Sequence, residues 1–296
     1  MKVKFITAIY SDLYGTDLGG RINRRDHYRF SLLSLLRMGD VSFTCFTSER
    51  ELEDLEQFFY EVHNVSKENL EFISFDLYDQ TENQNIFQSL KDIENMKKSD
   101  RCYEIQYNKF YWIKYIDVSN FDYVYWIDAG LSHCGVIPDK YLDYEGMGQR
   151  GYYNSHFFDE IFLNKLIDKT EDKVFVIGKD NVRNYWDGTV PAKFYLNGHD
   201  SSIHIIGGMF GGKKEKFLEI CGLFDENLLN ITNETQRLWS EENIFSLMFR
   251  NYNELFKMFY FETWWHEDHK IPGIEPETYF IENKSFYKAL EEIKYQ

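Results

Sequence analysis

The sequence of 296 residues predicts an α/β protein with a mostly parallel central sheet, flanking helices and an elaborated C-terminal half. Strand-like and helix-like segments alternate over the first 130 residues, which is the pattern of βαβ units. The short segment 123–127 is apolar and aromatic and lies between charged residues, as expected of a central strand covered on both faces. We find no internal repeat and no linker, so we expect one domain over 1–296.

The predicted elements follow from local sequence. Residues 3–10 are mostly apolar with β-branched side chains and predict the first strand. Residues 26–38 carry apolar side chains at helical spacing and stop at Gly39. Ser48 with Glu51 predicts a capping box that opens a helix after a strand at 41–47. The other predicted segments are strands at 70–77, 173–177, 202–206 and 256–261, and helices at 103–118, 155–167, 213–223 and 239–250.

Charge and composition narrow the function classes. The chain carries 33 basic and 49 acidic residues, a formal net charge of −16, which disfavours binding to nucleic acid. The N-terminal residues lack the pattern of a signal peptide, and no apolar run approaches the roughly 20 residues of a membrane span. The 4 cysteines are widely spaced, which predicts reduced thiols in a cytoplasmic protein. A loose association with the inner face of the membrane is left open.

Asp128 is the first candidate site residue. It directly follows the segment 123–127, and ligands of open α/β sheets bind at the carboxyl ends of the strands. A carboxylate there can hold a divalent cation, which in turn binds a diphosphate and neutralises a leaving group. The alternative is a strand-end aspartate that only turns the chain, with Gly130 making the bend.

Residues 121–130, Phe-Asp-Tyr-Val-Tyr-Trp-Ile-Asp-Ala-Gly, resemble the strand that carries the Asp-x-Asp motif of GT-A glycosyltransferases. The preceding helix with Lys109 is also similar, and the chain as a whole resembles bacterial proteins of the HtrL/YibB type. The resemblance implies a GT-A type, Rossmann-like sheet, with a nucleotide-binding half at 1–133 and an acceptor half at 134–296. It also implies transfer of a sugar from a nucleotide-diphosphate donor, UDP favoured, to a hydroxyl of a glycan or lipid-linked glycan in bacterial surface polysaccharide synthesis.

One position departs from the resemblance, because the second acidic residue of the motif, usually the direct metal ligand, is Gly130 here. Asp128 then binds a Mn²⁺ or Mg²⁺ ion with help from elsewhere, binds the ribose of the donor, or belongs to a site with weakened metal dependence. Many GT-A enzymes complete the metal site with a late histidine, and the resemblance makes His266 and His269 the candidates. A solvated polar loop is the alternative for their segment.

Two further segments resemble GT-A motifs. Gly207 and Gly208 resemble a glycine segment near the donor sugar, where glycine lets the backbone approach a ligand closely. Glu241 and Glu242 resemble an acidic pair beside the acceptor, where one carboxylate acts as general base in an inverting enzyme. In a retaining enzyme the same region supplies a carboxylate that stabilises an oxocarbenium-like centre. Stabilisation of a helix N-terminus is a complete structural alternative for both glutamates.

The resemblance extends the donor site to the end of the first strand and the loop after it. Tyr10 is predicted to stack on the nucleotide base, and a basic cluster that includes Arg21, Arg24 and Arg25 is predicted to meet the diphosphate. Ion pairing with nearby aspartates is the alternative for the arginines. The full predicted donor-binding set is Thr7, Ala8, Tyr10, Arg21, Arg24, Lys109, Asp128, Gly130, Gly207 and Gly208.

Two other functions stay open from the sequence. A sugar nucleotidyltransferase shares much of the expected sheet. Such enzymes normally carry a glycine-rich loop with Arg or Lys directly after the first strand, and segment 18–21 resembles that loop only weakly. A catalytically silent glycan-binding relative is the second alternative, because Gly130 replaces an acid. Release of pyrophosphate would indicate the nucleotidyltransferase, whereas an unchanged nucleotide-sugar would indicate the silent relative.

Overall fold

The computed structural model describes residues 1–11, 24–75, 100–131, 158–180, 192–194, 203–236, 239–261 and 293–295. The strands in these ranges are β1 (Val3–Ile9), β2 (Val41–Thr47), β3 (Leu70–Ser74), β4 (Tyr123–Ile127), β5 (Val174–Asp180), β6 (Ile203–Lys213) and β7 (Phe256–Phe261). The α-helices are α1 (Arg24–Leu35), α2 (Glu49–Glu56), α3 (Asp100–Tyr111), α4 (Glu160–Thr170), α5 (Lys214–Thr235) and α6 (Glu241–Asn251). A π-helical turn at Gln57–Val62 continues α2, and 3-10 turns lie at Trp112–Tyr115, Ala192–Phe194 and Asn253–Leu255.

The described strands form one 7-stranded sheet in the order β3-β2-β1-β4-β6-β5-β7. Among them, β6 alone is antiparallel to its neighbours β4 and β5, and every other pairing is parallel. Strands from both halves of the sequence therefore share the sheet. This confirms the predicted α/β class with a mostly parallel sheet, and it is consistent with a GT-A, Rossmann-like fold.

The side chains of a strand point alternately to the two faces of the sheet, and helices cover both faces. Along β4, Tyr125 and Ile127 belong to a buried cluster that includes α1, α2 and α4. Val124 and Trp126 belong to a second buried cluster, which includes α3, α5 and α6. The apolar run of β4 is thus buried on both faces, as its sequence predicts.

The strands β1 and β4 flank the point where the strand order reverses. From β1, the strands β2 and β3 follow on one side, whereas β4 lies on the other side. The last paired residues of β1 and β4 are Ile6 and Trp126, so Thr7 and Ala8 lie at the level where β4 ends. The crevice at such a switch point is the usual ligand site of open α/β sheets.

The glycine segment predicted to follow a strand at 202–206 is instead the interior of β6, which continues to Lys213. Gly211 has φ of +150°, and a Cβ atom there would clash with the backbone of Val124 and Tyr125. A Cβ atom on Gly212 would clash with the carbonyl of Lys173. These two glycines are therefore required by the close approach of neighbouring strands, and their segment is not a ligand loop.

The predicted capping box at the start of α2 is not formed. Ser48 is the N-cap residue, but its side chain makes no capping hydrogen bond. Glu51 instead accepts hydrogen bonds from the backbone N–H of Ser11, at 3.0 Å, and from the Ser11 hydroxyl. Glu51 thereby fixes the chain where it leaves β1, a long-range contact that a local motif does not reveal.

Within the described residues, the structure bears on two expectations from composition, which concern membrane spans and cysteines. Among the described residues, no helix has the length and apolarity needed to cross a membrane. Cys45 and Cys221 are buried free thiols, and burial raises the pKa of each. Cys134 and the side chain of Cys102 lie outside what the structure describes.

Candidate functional site

Asp128 lies directly beyond β4, at the switch point. Its backbone N–H donates to the Gly208 carbonyl at 2.8 Å, and its own carbonyl accepts from the Leu131 N–H at 2.9 Å, so the turn through Gly130 is closed. The Trp126 Nε1–H donates to Asp128 Oδ1 at 2.9 Å. Oδ2 has no hydrogen-bond partner in the described part of the chain, and 43% of the side chain is exposed. The carboxylate is therefore fixed at one oxygen and open at the other.

Lys109 is buried near the C-terminal end of α3 and connects four elements of the fold. Its Nζ lies 3.0 Å from Glu241 Oε1, 3.1 Å from the Gly207 carbonyl oxygen and 3.4 Å from Asp128 Oδ1. The ammonium donates hydrogen bonds to Gly207 and Glu241 and forms an ion pair with Asp128. The ring of Trp126, 5.6 Å away, adds a cation–π contact. These contacts engage the buried ammonium within the protein, so we reassign Lys109 from donor binding to positioning.

Glu241 and Glu242 are the first two residues of α6, which is capped by the side chain of Ser240. Glu241 is 3% exposed and pairs with Lys109 through Oε1, while its Oε2 has no partner among the described residues. The side chain of Glu242 is 31% exposed, and its Oε1 accepts from the Gly207 N–H at 2.9 Å. The two glutamates thus differ: Glu241 is an internal counter-ion, and Glu242 is partly open to solvent.

His204 in β6 completes the cluster, and the sequence did not predict it. Its Nε2 lies 2.7 Å from Glu242 Oε2, and 17% of its side chain is exposed. The hydroxyl of Ser246 supports this contact, because it donates to the Glu242 carbonyl at 2.6 Å and accepts from the Ile205 N–H at 2.8 Å. The available sequence signal was a polar ring placed among apolar residues at 203–206.

The glycines at 207 and 208 lie where β6 passes through the cluster. A Cβ atom on Gly207 would lie 2.7 Å from Glu241 Oε1 and 3.3 Å from Lys109 Nζ, so only glycine leaves room for that ion pair. Gly208 contributes the carbonyl that binds the Asp128 N–H. Six predicted residues are therefore brought together: Lys109, Asp128, Gly207, Gly208, Glu241 and Glu242.

The electrostatics of the cluster are dominated by burial and by an excess of acid. Three carboxylates surround one ammonium, which gives a net charge of −2 when all four groups are ionised. Burial raises the pKa of Glu241, and repulsion from Glu242 adds to this although Lys109 opposes it. Desolvation also raises the pKa of Asp128, against the attraction of Lys109. The pKa of Lys109 is raised because its carboxylate neighbours outweigh the cost of burial. An additional positive charge or proton would therefore be stabilised here.

The end of β1 contributes less than predicted. Thr7 is fully buried, and its Oγ1 has no hydrogen-bond partner within the described ranges. Ala8 is half-buried. Tyr10 is 3% exposed, its ring stacks on Trp112 at 6.0 Å, and its hydroxyl donates to the Phe75 carbonyl at 2.9 Å. Tyr10 is therefore a core residue, which corrects the prediction that it stacks on a nucleotide base.

The predicted metal site falls mainly outside the described residues, as do His266, His269 and Arg21 together with the side chain of Arg24. Within the described ranges, no group of three or more His, Cys, Asp or Glu side chains could hold a metal ion. Asp128 Oδ1 already faces the Lys109 ammonium. The described residues alone therefore do not fit a divalent cation.

Comparison with known proteins gives distant structural similarities, among them the two that follow, and no family. No family model and no curated protein matches the chain, so the narrower HtrL/YibB resemblance gains no support. The apo form of mouse xyloside xylosyltransferase 1 is similar with a TM-score of 0.49 and 10% identity, over 87% of this chain and 85% of that one. The 4-diphosphocytidyl-2C-methyl-D-erythritol synthase of Anaerococcus prevotii DSM 20548 is similar with a TM-score of 0.41 and 10% identity, over 97% and 96%. Scores of this size carry no argument about activity, so function rests on the site itself.

Proposed function

We propose that this chain is a glycosyltransferase that moves a sugar from a nucleotide-diphosphate-sugar, with a UDP-sugar favoured, to a hydroxyl of a glycan or lipid-linked glycan. One observation supports this best: an oriented, half-open carboxylate at the switch point is joined through a buried ammonium to a second acidic group. Asp128 provides the first group, and the N-terminus of α6 provides the second. The resemblance of both segments to GT-A motifs suggests bacterial surface polysaccharide synthesis as the setting.

Asp128 is assigned to the donor. Its Oδ1 is held by Trp126 and Lys109, while Oδ2 is open. A carboxylate oxygen accepts hydrogen bonds strongly from hydroxyl groups, so Oδ2 suits a ribose or sugar hydroxyl. Ala8, near the end of β1, lies at the level where β4 ends, which is the edge of the sheet where a nucleotide would lie.

The reacting hydroxyl of the acceptor is assigned to the side of Glu242. A general base must have a free path to the proton that it removes. Glu241 lacks one, because it is almost fully buried and its Oε1 binds Lys109. Glu242 is partly exposed and lies where the first turn of α6 contacts β6 at Gly207. Of the two predicted glutamates, we therefore retain only Glu242 as a group that takes part in proton transfer.

A divalent cation, Mn²⁺ or Mg²⁺, stays a prediction that depends on His266 and His269. Such an ion would neutralise the leaving diphosphate. Since the described residues alone do not fit it, we derive no step through a metal. Comparing the Mn²⁺ response of the wild type with that of the His266→Ala/His269→Ala double variant tests this point, and an unchanged response would remove both histidines from the proposal.

A thermal-shift screen of nucleoside diphosphates and nucleotide-sugars, with Mn²⁺ or with EDTA, tests the substrate class. A ligand at about 100 times its Kd stabilises the native state by about 2.7 kcal/mol. For a chain of this size that corresponds to a rise in Tm of about 5 °C or more. We expect UDP and at least one UDP-sugar to give such a rise.

The product of turnover then decides the reaction. Release of UDP with a glycosylated acceptor supports the proposal, whereas pyrophosphate release would indicate a nucleotidyltransferase and unchanged donor a silent binding protein. Asp128→Asn should weaken donor binding about 10- to 100-fold, because hydrogen bonds to a charged group contribute about 1.5–3 kcal/mol. Asp172→Asn is the matched control, since Asp172 is an exposed partner of Lys213. Equal donor affinity in both variants would remove Asp128 from the donor site.

A further inference from the structure

The geometry points to His204 as the general base of the proposed sugar transfer, with Glu242 as the carboxylate that positions it. This inference rests on the proposed function and sharpens it, because it moves proton transfer from the predicted glutamate to an imidazole. The observation that supports this inference most directly is the 2.7 Å contact between His204 Nε2 and Glu242 Oε2. A carboxylate that orients an imidazole is a recurring arrangement for proton transfer.

Both oxygens of Glu242 are engaged by β6. Oε1 accepts from the Gly207 N–H at 2.9 Å, and Oε2 faces His204 Nε2. Ser246 fixes the first turn of α6 through its bond to the Glu242 carbonyl. Two contacts from β6 therefore hold Glu242 in one orientation, as a carboxylate that positions an imidazole requires.

The imidazole of His204 is arranged differently. An ionised carboxylate only accepts hydrogen bonds, so the proton of a neutral His204 must reside on Nε2, and Nδ1 must carry the lone pair. Nδ1 has no hydrogen-bond partner in the described part of the chain, and the side chain is partly exposed. A proton-accepting nitrogen is therefore available without the loss of any bond seen in the structure.

Two charged residues lie next to His204 on neighbouring elements. Glu242 faces the ring from α6, and Lys179 lies opposite His204 in the register of β5. Beyond Gly207 lie Lys109, Asp128 and Glu241, so the cluster as a whole carries excess negative charge. Charge that develops on an imidazole is stabilised by fixed carboxylates in a partly buried site.

In the proposed step, the acceptor hydroxyl oxygen forms a bond to the anomeric carbon of the donor sugar. Its proton moves to Nδ1 of His204, and the bond between the anomeric carbon and the diphosphate oxygen breaks, with the electron pair leaving on the nucleoside diphosphate. The imidazolium pairs with Glu242 and later loses its proton to solvent. A single displacement of this kind inverts the anomeric configuration, which product NMR can read directly.

The first test is the tautomer of His204, which needs no substrate. In ¹⁵N-histidine-labelled protein at pH 8, the His204 signals, assigned by their loss in His204→Gln, should show a protonated Nε2 and an unprotonated Nδ1. Glu242→Gln should reverse this, because its amide oxygen must accept from the Gly207 N–H and its amino group then faces Nε2. A proton on Nδ1 in the wild type would overturn the inference.

The second test is turnover with the UDP-sugar that gives the largest thermal shift. His204→Gln keeps a nitrogen donor for Glu242 but has no basic nitrogen, so kcat should fall about 100- to 10,000-fold with little change in KM. The acid limb of the pH–rate profile should disappear with it. His63→Gln is the matched control, since His63 is exposed beside Phe58, and it should retain wild-type turnover.

The outcomes separate the inference from the proposed function. His204→Gln with near wild-type kcat, while Glu242→Gln is inactive, would assign the base to Glu242 and overturn the inference. A retained acid limb in His204→Gln would do the same. A correct tautomer in a wild-type protein that turns over no nucleotide-sugar would instead reject the proposed function and leave the His204–Glu242 pair in place.

Discussion

Replacing Lys109 with methionine tests whether its ammonium holds the candidate site together. Methionine keeps much of the length and the apolar stem of lysine but removes the charge and all three donors. The variant leaves Glu241 and Asp128 without their cation and the Gly207 carbonyl without a donor. The expected result is a large, pH-dependent loss of stability together with a loss of donor binding.

The magnitude follows from burial. Breaking a buried ion pair by removing one partner costs about 3–5 kcal/mol, since the remaining charge is left without compensation. Glu241 is 3% exposed and carries most of this cost, whereas Asp128 is partly solvated and contributes less. We therefore expect a decrease of about 3–4 kcal/mol in the free energy of unfolding at pH 8.

The pH dependence distinguishes this pair from an ordinary one. Glu241 and Asp128 have raised pKa values in the native state, and without Lys109 these rise further. Their protonation removes the uncompensated charge, so the destabilisation by Lys109→Met should shrink as the pH falls, at values above the ordinary glutamate pKa of 4.5.

Lys4→Met is the matched control. Lys4 is also buried, at 4% exposed, and its partner Glu71 is a glutamate whose pKa is lowered, by hydrogen bonds to Lys4 and Thr44 against the effect of desolvation. A lowered carboxyl pKa contributes stability above the unfolded value that is lost as the pH falls through the folded one. The loss in Lys4→Met should therefore shrink only near and below pH 4.5.

Urea unfolding of both variants and the wild type, followed by circular dichroism at pH 8 and pH 5.5, measures these free energies. We expect a smaller Lys109→Met effect at pH 5.5 than at pH 8 and an unchanged Lys4→Met effect. An effect of Lys109→Met that is the same at both pH values, or no larger than that of Lys4→Met, would refute it.

Two other predictions follow from single positions. Gly207→Ala forces a methyl group against Glu241, so we expect the free energy of unfolding to fall by about 1–3 kcal/mol. Gly222→Ala is the control, because a methyl group there enters open space on α5, and it should raise the free energy of unfolding by about 0.5–1 kcal/mol. Equal effects of the two variants in urea titrations would contradict the site geometry. Tyr10→Phe removes the bond to the Phe75 carbonyl and should cost about 1–2 kcal/mol, while donor affinity in a thermal-shift titration stays within about 2-fold. A 10-fold loss of affinity would restore Tyr10 to the donor site.

Much of the fold was predictable because several strands are short runs of apolar residues next to polar ones. The segments 41–47, 123–127 and 256–261 match β2, β4 and β7 at both ends. Helix ends were less accurate: the helix predicted at 213–223 continues as α5 to Thr235. Its later turns contain Asn and Thr, which weaken local helical preference, yet Leu228 and Ile231 are fully buried and tertiary packing stabilises these turns.

The residues of the candidate site were largely predictable, but the role of one was not. Asp128 was selected by its position after an apolar strand, and Glu241 and Glu242 by their resemblance to the acidic pair of GT-A enzymes. Lys109 was assigned to the donor because its helix resembles the one that precedes the Asp-x-Asp strand of GT-A enzymes. Only the structure shows that its ammonium donates to Gly207 and Glu241 and pairs with Asp128. A buried cation pairs with the carboxylates that the fold places around it, and the local sequence does not show which carboxylates these are.

The direction of β6 explains why His204 was missed. A parallel strand at 202–206 would place its beginning at the opposite edge of the sheet from Asp128, with the glycines after it at the site. Because β6 is antiparallel to β4 and pairs Ile127 with Met209, its first residues pass beyond the end of β4 instead. His204 and Gly207 therefore lie at the switch-point edge, within reach of Glu242. Strand direction, which depends on long-range pairing and leaves little trace in the strand itself, decides which end of a strand can contribute to a site.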